Sequence, residues 1–406
     1  MVNHLLTIEG RHRVLAITNL SDLVITPGSC VITIFTNMVI TMQTLDHTYQ
    51  VLYSELRQRC LDASFSAEFS LDGRFITQEV RGRRYWYFDM AGSDGKKKRR
   101  YVGPAEDEEI TQRVKSFKDL KADYRARRKI VSTLVRDALL PRPEARTGQI
   151  VEALANAGFF RLRGVLVGTV AFQCYSAILG MRLPNTAMQT GDTDFAQFHS
   201  ISAAVEDTMP PMIETLREVD PTFRDIPDQN DGRHTTQFIS RGGYKVEFLT
   251  PNTGSDEHDG HPASMPALGN ASAQPLRFLD FLIYQPVRAI MLYGAGIPVF
   301  VPAPERFAVH KLIVASRRIH DNETADKSRK DRLQATAIME AMIQQRQNAE
   351  LADAFMEAWD RGPAWRRAIG DSLALLEEKP EEAIRSGLAE GIRKTGADPT
   401  AYDLVI

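Results

Sequence analysis

Two apolar segments in the middle of the chain have the composition and length of buried β-strands. The first, residues 159–167, ends at Gly168-Thr169 and is followed directly by helix-compatible residues 170–179. This order predicts a strand that turns sharply into a helix. The second, residues 244–249, follows a Gly-Gly turn signal and is predicted to be one arm of a β-hairpin.

The residues before this region predict a small antiparallel sheet between two helices. Residues 43–63 and 106–140 have helical spacing of apolar positions, and the second helix is predicted to end at Pro141-Arg142-Pro143. Between the helices, strand-like patterns separated by glycine-containing turns predict a β-meander at residues 75–80, 84–88 and 96–103.

The remainder of the chain predicts further strands and then helices. Strands are predicted at residues 282–283, 287–292 and 297–301, and helices at 306–320, 327–347 and onward to 394. The expected fold class is α+β. Four parts are predicted: an N-terminal extension (1–42), a helix, basic meander and long helix (43–141), a mixed-sheet core (142–304), and a C-terminal helical domain (305–406). For the extension, translation starting at Met38 or Met42 is favoured over a functional arm.

The candidate chemistry lies in the core region. Alternate residues of a strand share a face, so Asp192 and Asp194 are predicted to point the same way. Two neighbouring carboxylates repel each other unless a cation lies between them, and oxygen ligands of this kind suit Mg²⁺ or Mn²⁺. Glu247, on a strand that can lie alongside, would complete a three-carboxylate metal site. The polar segment between the helix and Asp192, residues 181–189, is predicted to be a loop.

The turn at Gly168-Thr169 is a candidate phosphate site. Backbone N–H groups at the start of a helix, together with a hydroxyl, form a pocket for an anion. Metal-binding acids that face such a pocket are the arrangement used in phosphoryl transfer.

The order of Gly-Thr, helix, Asp-x-Asp and a later strand acid resembles the DNA polymerase β-like nucleotidyltransferase superfamily. Two helical segments, 304–312 and 327–331, resemble the Lys-Leu and Lys/Arg-Asp motifs of toxin-type nucleotidyltransferases from bacterial abortive-infection systems. Residues 159–342, which include the segment 274–280, also resemble an uncharacterised bacterial nucleotidyltransferase-like family. Two departures stand out: Asp192 lies 23 positions after Thr169, roughly twice the usual separation, and the third acid is Glu where Asp is more usual.

The resemblance implies a function and roles for further residues. Lys311 would neutralise the triphosphate of an NTP, and Asp331 would orient or deprotonate the acceptor. Asp192, Asp194, Glu247 and Asp331 would be catalytic, with Mg²⁺ or Mn²⁺ as the cofactor. NMP would pass to an acceptor hydroxyl such as an RNA or tRNA end, and a cognate antitoxin would be an expected partner.

Composition indicates how the chain can bind a nucleic acid and which cellular compartment suits it. The formal net charge is −2, so affinity for a nucleic acid has to come from a local patch. Three cysteines without metal or redox spacing suit a reducing cytoplasm, and no segment is long and apolar enough to cross a bilayer.

The predicted meander is the one concentrated basic segment. Its candidate acceptor-binding residues are Arg84, Lys96, Lys97, Lys98, Arg99 and Arg100, interleaved with aromatic residues. Such a mixture can follow phosphates and stack on bases. A solvated hairpin whose aromatic residues pack on the neighbouring helix explains the same pattern about equally well.

Two functions of different class remain. One is an active nucleotidyltransferase, and the other is a catalytically inactive regulatory or binding protein that keeps the fold. The presence of both Asp192 and Asp194 favours the enzyme, because an inactive copy has no use for two acids that repel each other.

Overall fold

The computed structural model describes residues 42–63, 73–80, 83–91, 97–184, 188, 190–204, 208–228, 232, 234–252, 261–269, 271–318 and 324–404. The predicted N-terminal extension lies outside these residues except for Met42, and Lys96 lies outside them as well. From Met42 onward the chain forms one compact unit. No helix among the described residues is long and apolar enough to cross a membrane.

Strands and helices are interspersed up to residue 301, and the elements described after it are helices. The strands are β1 Gln43–Thr44, β2 Arg74–Val80, β3 Arg83–Ala91, β4 Lys97–Pro104, β5 Val165–Val167, β6 Met181–Arg182, β7 Asp192–Ala196, β8 Arg224–Pro227, β9 Thr235–Ile239, β10 Lys245–Pro251, β11 Ala263–Ser264, β12 Ser272–Leu276, β13 Val287–Met291 and β14 Ile297–Val301. The α-helices are α1 His47–Ala63, α2 Glu108–Arg136, α3 Ala145–Asn156, α4 Gly168–Ile178, α5 His199–Ala204, α6 Met212–Val219, α7 Leu279–Leu282, α8 Pro304–Arg317, α9 Ala325–Gln344, α10 Asn348–Asp360, α11 Pro363–Leu373 and α12 Glu378–Thr395.

The meander and its two flanking helices form as predicted. Strands β2, β3 and β4 pair antiparallel in that order. Trp86 donates a hydrogen bond from its indole N–H to the hydroxyl of Thr111 on α2, at 3.0 Å. Phe88 is buried and its ring lies 4.8 Å from that of Phe75. The aromatic residues of this sheet therefore contribute to packing.

The central sheet is mixed, which confirms the α+β class. Strand β7 pairs antiparallel with β5 on one side and parallel with β10 on the other. Strand β10 also pairs antiparallel with β9 and parallel with β12, while β8 extends the sheet beyond β9 and β11 beyond β12. Helix α4 begins at the end of β5, so the predicted strand-to-helix turn at Gly168 is confirmed.

Three short segments differ from their predicted states. Residues 159–164 were predicted as part of a strand but form turns, so that only Val165–Val167 pair as β5. Met181 and Arg182 were expected in a loop, yet they pair with Gln43 and Thr44, which moves the start of α1 to His47. Residues 282–283 do not form a strand. Leu282 ends α7, and a helical turn there buries Leu279, Leu282 and Ile283, at the i, i+3, i+4 spacing, on one face.

The C-terminal third is helical, as predicted, and shares a hydrophobic core with the central sheet. Phe172 of α4 stacks against Phe307 of α8 with ring centroids 6.2 Å apart. Tyr175 donates a hydrogen bond to the carbonyl of Pro302 at 2.9 Å. Buried apolar contacts therefore join residues on the two sides of position 304, the predicted domain boundary. The domain boundaries at 141 and 304 stay predictions.

Candidate active site

Three carboxylates lie on one face of the central sheet. Asp192 and Asp194 of β7 are half-buried, whereas Thr193 between them is buried, so the two acids share a face as predicted. In the register of β7 and β10, Glu247 is paired with Asp194, and Lys245 with Asp192. Paired residues of neighbouring strands project from the same face. Glu247 therefore lies on the face of the two aspartates.

The surroundings oppose ionisation of Asp194 and Glu247. Burial, followed by the charges of Asp192 and Glu247, raises the pKa of Asp194 to about 7, while Lys311 and Arg318 act in the opposite direction. The pKa of Glu247 is also raised, first by burial and then by Asp192. Like charges held in a partly buried site favour either a proton or a cation among them.

The turn at the start of α4 lies directly against the acids. Gly168 has φ +66°, and a Cβ there would run into the carboxylate of Asp194. The hydroxyl of Thr169 accepts a hydrogen bond from Nε2 of Gln334 at 3.4 Å. The predicted phosphate turn and the predicted acids are therefore brought together.

The acids do not converge on a single point as the side chains stand. Thr190 donates a hydrogen bond to Oδ1 of Asp192, which draws that carboxylate toward its own loop. Among the residues with described positions, no three acidic, histidine or cysteine side chains are close enough together to hold a metal ion. The three-acid metal centre stays a prediction.

A buried ion-pair cluster faces the acids from helices α8 and α9. Asp331 is only 2% exposed, and its Oδ1 accepts from Nζ of Lys311 at 2.6 Å. Its Oδ2 accepts from Arg318. Lys311 and Arg318 both act electrostatically on Asp194, so Lys311 faces the acids as expected. Since both oxygens of Asp331 accept from cations here, its role as a base also stays a prediction.

One face of α9 carries four polar residues toward the acids. Lys327 lowers the pKa of Glu247, and Lys330 interacts with the charge of Asp192. Asp331 and Gln334 contact Lys311 and Thr169, respectively. The four residues follow the i, i+3, i+4, i+7 spacing of a single helix face. Sequence analysis identified the segment 327–331 by its motif but gave no role to Lys327 or Lys330. It did not single out Gln334 or Arg318, although the helical spacing places Gln334 on the same face as Lys327, Lys330 and Asp331.

The acid-bearing strand is fixed from its other face by a tyrosine. The hydroxyl of Tyr244 lies 2.5 Å from the hydroxyl of Thr193 and 2.6 Å from that of Thr147 on α3. Tyr244 and Thr193 are buried. Because Thr193 stands between the two aspartates, these hydrogen bonds tie the position of the acids to the start of α3.

The predicted acceptor-binding residues that the structure describes, all except Lys96, lie on the meander sheet. Arg84 is exposed on β3, and β4 carries Lys97, Lys98, Arg99 and Arg100. Arg99 is paired with Asp89 through two hydrogen bonds of 2.7 and 3.1 Å. This bidentate pair gives Arg99 a structural contact, and the acceptor role of the set stays a prediction.

Comparison with known proteins connects this site to one family. Residues 145–360, just over half of the chain, match the model of a family described as nucleotidyltransferase. The matched range contains all three carboxylates, the turn at Gly168 and the cluster around Asp331.

The chain is also similar to one solved structure and to no curated protein. The structure is that of an antigenic nucleotidyltransferase-like protein from Paracoccidioides brasiliensis, with 14% sequence identity over 57% of this chain and 95% of that chain. Its TM-score of 0.27 is too low to carry an argument. No curated protein matches the chain.

Proposed function

Because this chain belongs to a nucleotidyltransferase family, we propose that it is a metal-dependent enzyme that transfers NMP from an NTP to an acceptor hydroxyl. The observation that carries the proposal is the pairing of Asp194 with Glu247 on neighbouring strands, on the face where Asp192 also lies. Cations of α8 and α9 stand opposite them. A nucleotide with a polyphosphate chain needs both kinds of charge.

Asp192, Asp194 and Glu247 would hold Mg²⁺ or Mn²⁺. The fit rests on the chemistry of the donors: three carboxylates supply hard oxygen ligands. The pKa of Asp194 is raised to about 7, first by burial and then by the charges of Asp192 and Glu247. When bound, the metal ion would acidify the attacking hydroxyl and shield the pyrophosphate leaving group.

The remaining residues would bind the triphosphate and hold it in line. Backbone N–H groups at Gly168 and Thr169 are placed at a helix start beside the acids, where an anion is favoured. Lys311 and Arg318 would contact phosphate oxygens. Asp331 would act as a positioning residue that holds these two cations toward Asp194, since it contacts both of them.

The test is an Asp192→Asn variant incubated with each α-labelled NTP, Mg²⁺ or Mn²⁺, and total cellular RNA and protein. The wild-type chain should transfer label to an acceptor, and the variant should lose transfer by about 10³-fold or more, because a metal ligand is removed. Asp225→Asn, at an exposed position of β8, is the matched control and should retain activity.

Thermal unfolding separates loss of chemistry from loss of fold. Asp192→Asn should melt at or above the wild-type temperature, since it removes one member of a set of repelling acids. Unchanged transfer by the variant would reject the mechanism. Wild-type protein that binds NTP without turning it over with any acceptor would favour the inactive binding protein instead.

A further inference from the structure

The acid-bearing face of the sheet continues beyond the acids onto β9 and β8. Strand register places the side chains of this face in two rows that cross four strands. One row contains Asp194, Glu247, Gln237 and Ile226, and the other contains Asp192, Lys245, Ile239 and Arg224. Neighbouring strands are about 4.8 Å apart, so Arg224 stands about 14 Å from Asp192 across the sheet.

This extension is accessible on the acid side. Arg224 and Lys245 are exposed, and Gln237 and Ile239 are half-buried. On the reverse face of β9, Phe238 is only 2% exposed and belongs to the core. On the reverse face of β8, Asp225 is exposed. The core therefore covers one face of β9, and the face continuous with the acids is accessible on both strands.

The open face and the turn beside it carry three exposed cations, of which Lys245 stands next to Asp192 and acts on the charge of Glu247. Arg224, Lys245 and Arg241, the last in the turn that joins β9 to β10, are exposed. The side chain of none of them forms a hydrogen bond or ion pair with another residue within the described ranges. Cations without partners can bind phosphates without first breaking an ion pair, and counterion release then favours a polyanion.

We propose that this open face, formed by Arg224, Ile226, Gln237, Ile239 and Lys245 with Arg241 in the adjacent turn, is the acceptor subsite and binds the phosphodiester backbone of an RNA end. The inference rests on the proposed function and specifies its acceptor. An acceptor that reaches from the carboxylates to Arg224 has to be extended over about 14 Å. Cations lie along that path, and Ile226 and Ile239 supply apolar surface between them for bases.

The subsite is also separate from the charges assigned to the NTP. Lys311 lies on α8 and Arg318 directly follows that helix, whereas Arg224, Arg241 and Lys245 belong to the sheet and its hairpin turn. The two substrates would therefore meet at the carboxylates from different elements. In-line transfer requires the donor and acceptor to approach the metal site in this way.

The test measures RNA binding apart from catalysis. A short single-stranded RNA with a labelled 5′ end and a free 3′ hydroxyl is titrated with the full chain in buffer without NTP or metal, at several salt concentrations. The double variant Arg224→Ala, Arg241→Ala should bind at least about tenfold more weakly than wild type, and its salt slope should fall by about 1.4, the value for two lost phosphate contacts on a single strand. Replacement by lysine at both positions should restore the slope, because the charge is retained.

Controls separate this inference from the proposed function. Arg367→Ala, at an exposed arginine of α11, should leave RNA affinity unchanged, and the double variant should bind NTP as wild type does. Equal RNA affinity and salt slope in wild type and double variant would overturn the acceptor subsite. So would transfer of NMP to protein or a small molecule and not to RNA, an outcome that would leave the nucleotidyltransferase proposal intact. In a third outcome, the wild-type chain transfers NMP to no acceptor, yet the double variant loses RNA affinity. That result would contradict the proposed function and still support RNA binding at the open face.

Discussion

Gly168 shows how one residue joins backbone geometry to chemistry. Its φ of +66° lies in the left-handed region, and the space that a side chain would occupy is taken by the Asp194 carboxylate. A phosphate bound at this turn would be in direct contact with the acids, because no side chain separates the backbone from them. Both the turn and the site therefore require a residue without a Cβ at position 168.

We expect Gly168→Ala to lose most transfer activity and to lower the free energy of unfolding by about 1–2 kcal/mol, since it adds left-handed strain and displaces Asp194. Gly370→Ala is the matched control: its added Cβ meets nothing within 4 Å and lies in α11, so stability should hold or rise. Denaturant unfolding and transfer assays measure both effects. Full activity in Gly168→Ala would mean that the close approach is not needed.

His310 gives a prediction about pH. Burial, followed by the charges of Lys311 and Arg318, lowers the pKa of His310 to about 3, from an ordinary value of 6.5. Between these values the unfolded chain binds a proton that the folded chain does not, so the free energy of unfolding falls as pH is lowered from about 6.5 toward about 3.

His310→Gln should remove the contribution of one titrating proton to the pH dependence of the free energy of unfolding. The stability difference between variant and wild type should be constant above pH 6.5 and should shift in favour of the variant at lower pH. The measurement is denaturant unfolding at a series of pH values, with exposed His199→Gln as the control. Parallel curves for His310→Gln and wild type would show that His310 titrates normally.

Among single residues, the sequence predicted those whose position follows from strand periodicity. Asp192 and Asp194 share a face because alternate residues must, and Glu247 follows once β10 lies beside β7. Arg318 could not be found this way, because its partner Asp331 belongs to the next helix and the contact depends on how α8 packs on α9. Tyr244 was missed for the same reason: its two partners are 51 and 97 positions away.

At the scale of elements, helices α8 and α9 act as one unit through Asp331. We expect Lys311→Ala to raise the Kd for NTP by about tenfold or more, since a cation that faces the phosphates is lost. Stability should fall by about 1–3 kcal/mol, because the buried Asp331 keeps only Arg318. Titration with a non-hydrolysable NTP measures the first effect.

Lys379→Ala, at an exposed lysine of α12, is the control for this change and should alter neither quantity. NTP affinity in Lys311→Ala equal to that of wild type would make Lys311 a structural partner of Asp331 and nothing more.

Short elements were the ones that sequence patterns failed to predict. Strands β1 and β6 contain two residues each and exist because they pair with each other across 137 positions. Helix α7 follows Phe278, whose φ of +68° redirects the chain so that a single helical turn buries its apolar residues. Long periodic helices such as α2 were predicted because their own residues carry the pattern.

At the scale of the whole molecule, the core that the central sheet shares with the C-terminal helices predicts that these two parts unfold cooperatively. Stacked and edge-on aromatic contacts join α4 to α8, and Phe278 and Phe281 contact Trp365 of α11 with ring centroids 4.6 and 5.7 Å apart. In denaturant, the fluorescence of Trp359 and Trp365 and the far-ultraviolet circular dichroism should therefore change in one coincident transition. Two separated transitions would support an independent C-terminal domain beginning at 305.

The position of β7 within the sheet has a consequence for how the site adapts to its ligands. Its backbone is hydrogen-bonded to β5 on one side and to β10 on the other. Amide hydrogens along residues 193–196 should then exchange with deuterated solvent only when the whole sheet opens. The backbone beneath the acids is therefore a fixed support, and any adjustment to a different metal ion or nucleotide has to come from rotation of the carboxylate side chains and from movement of the helices opposite.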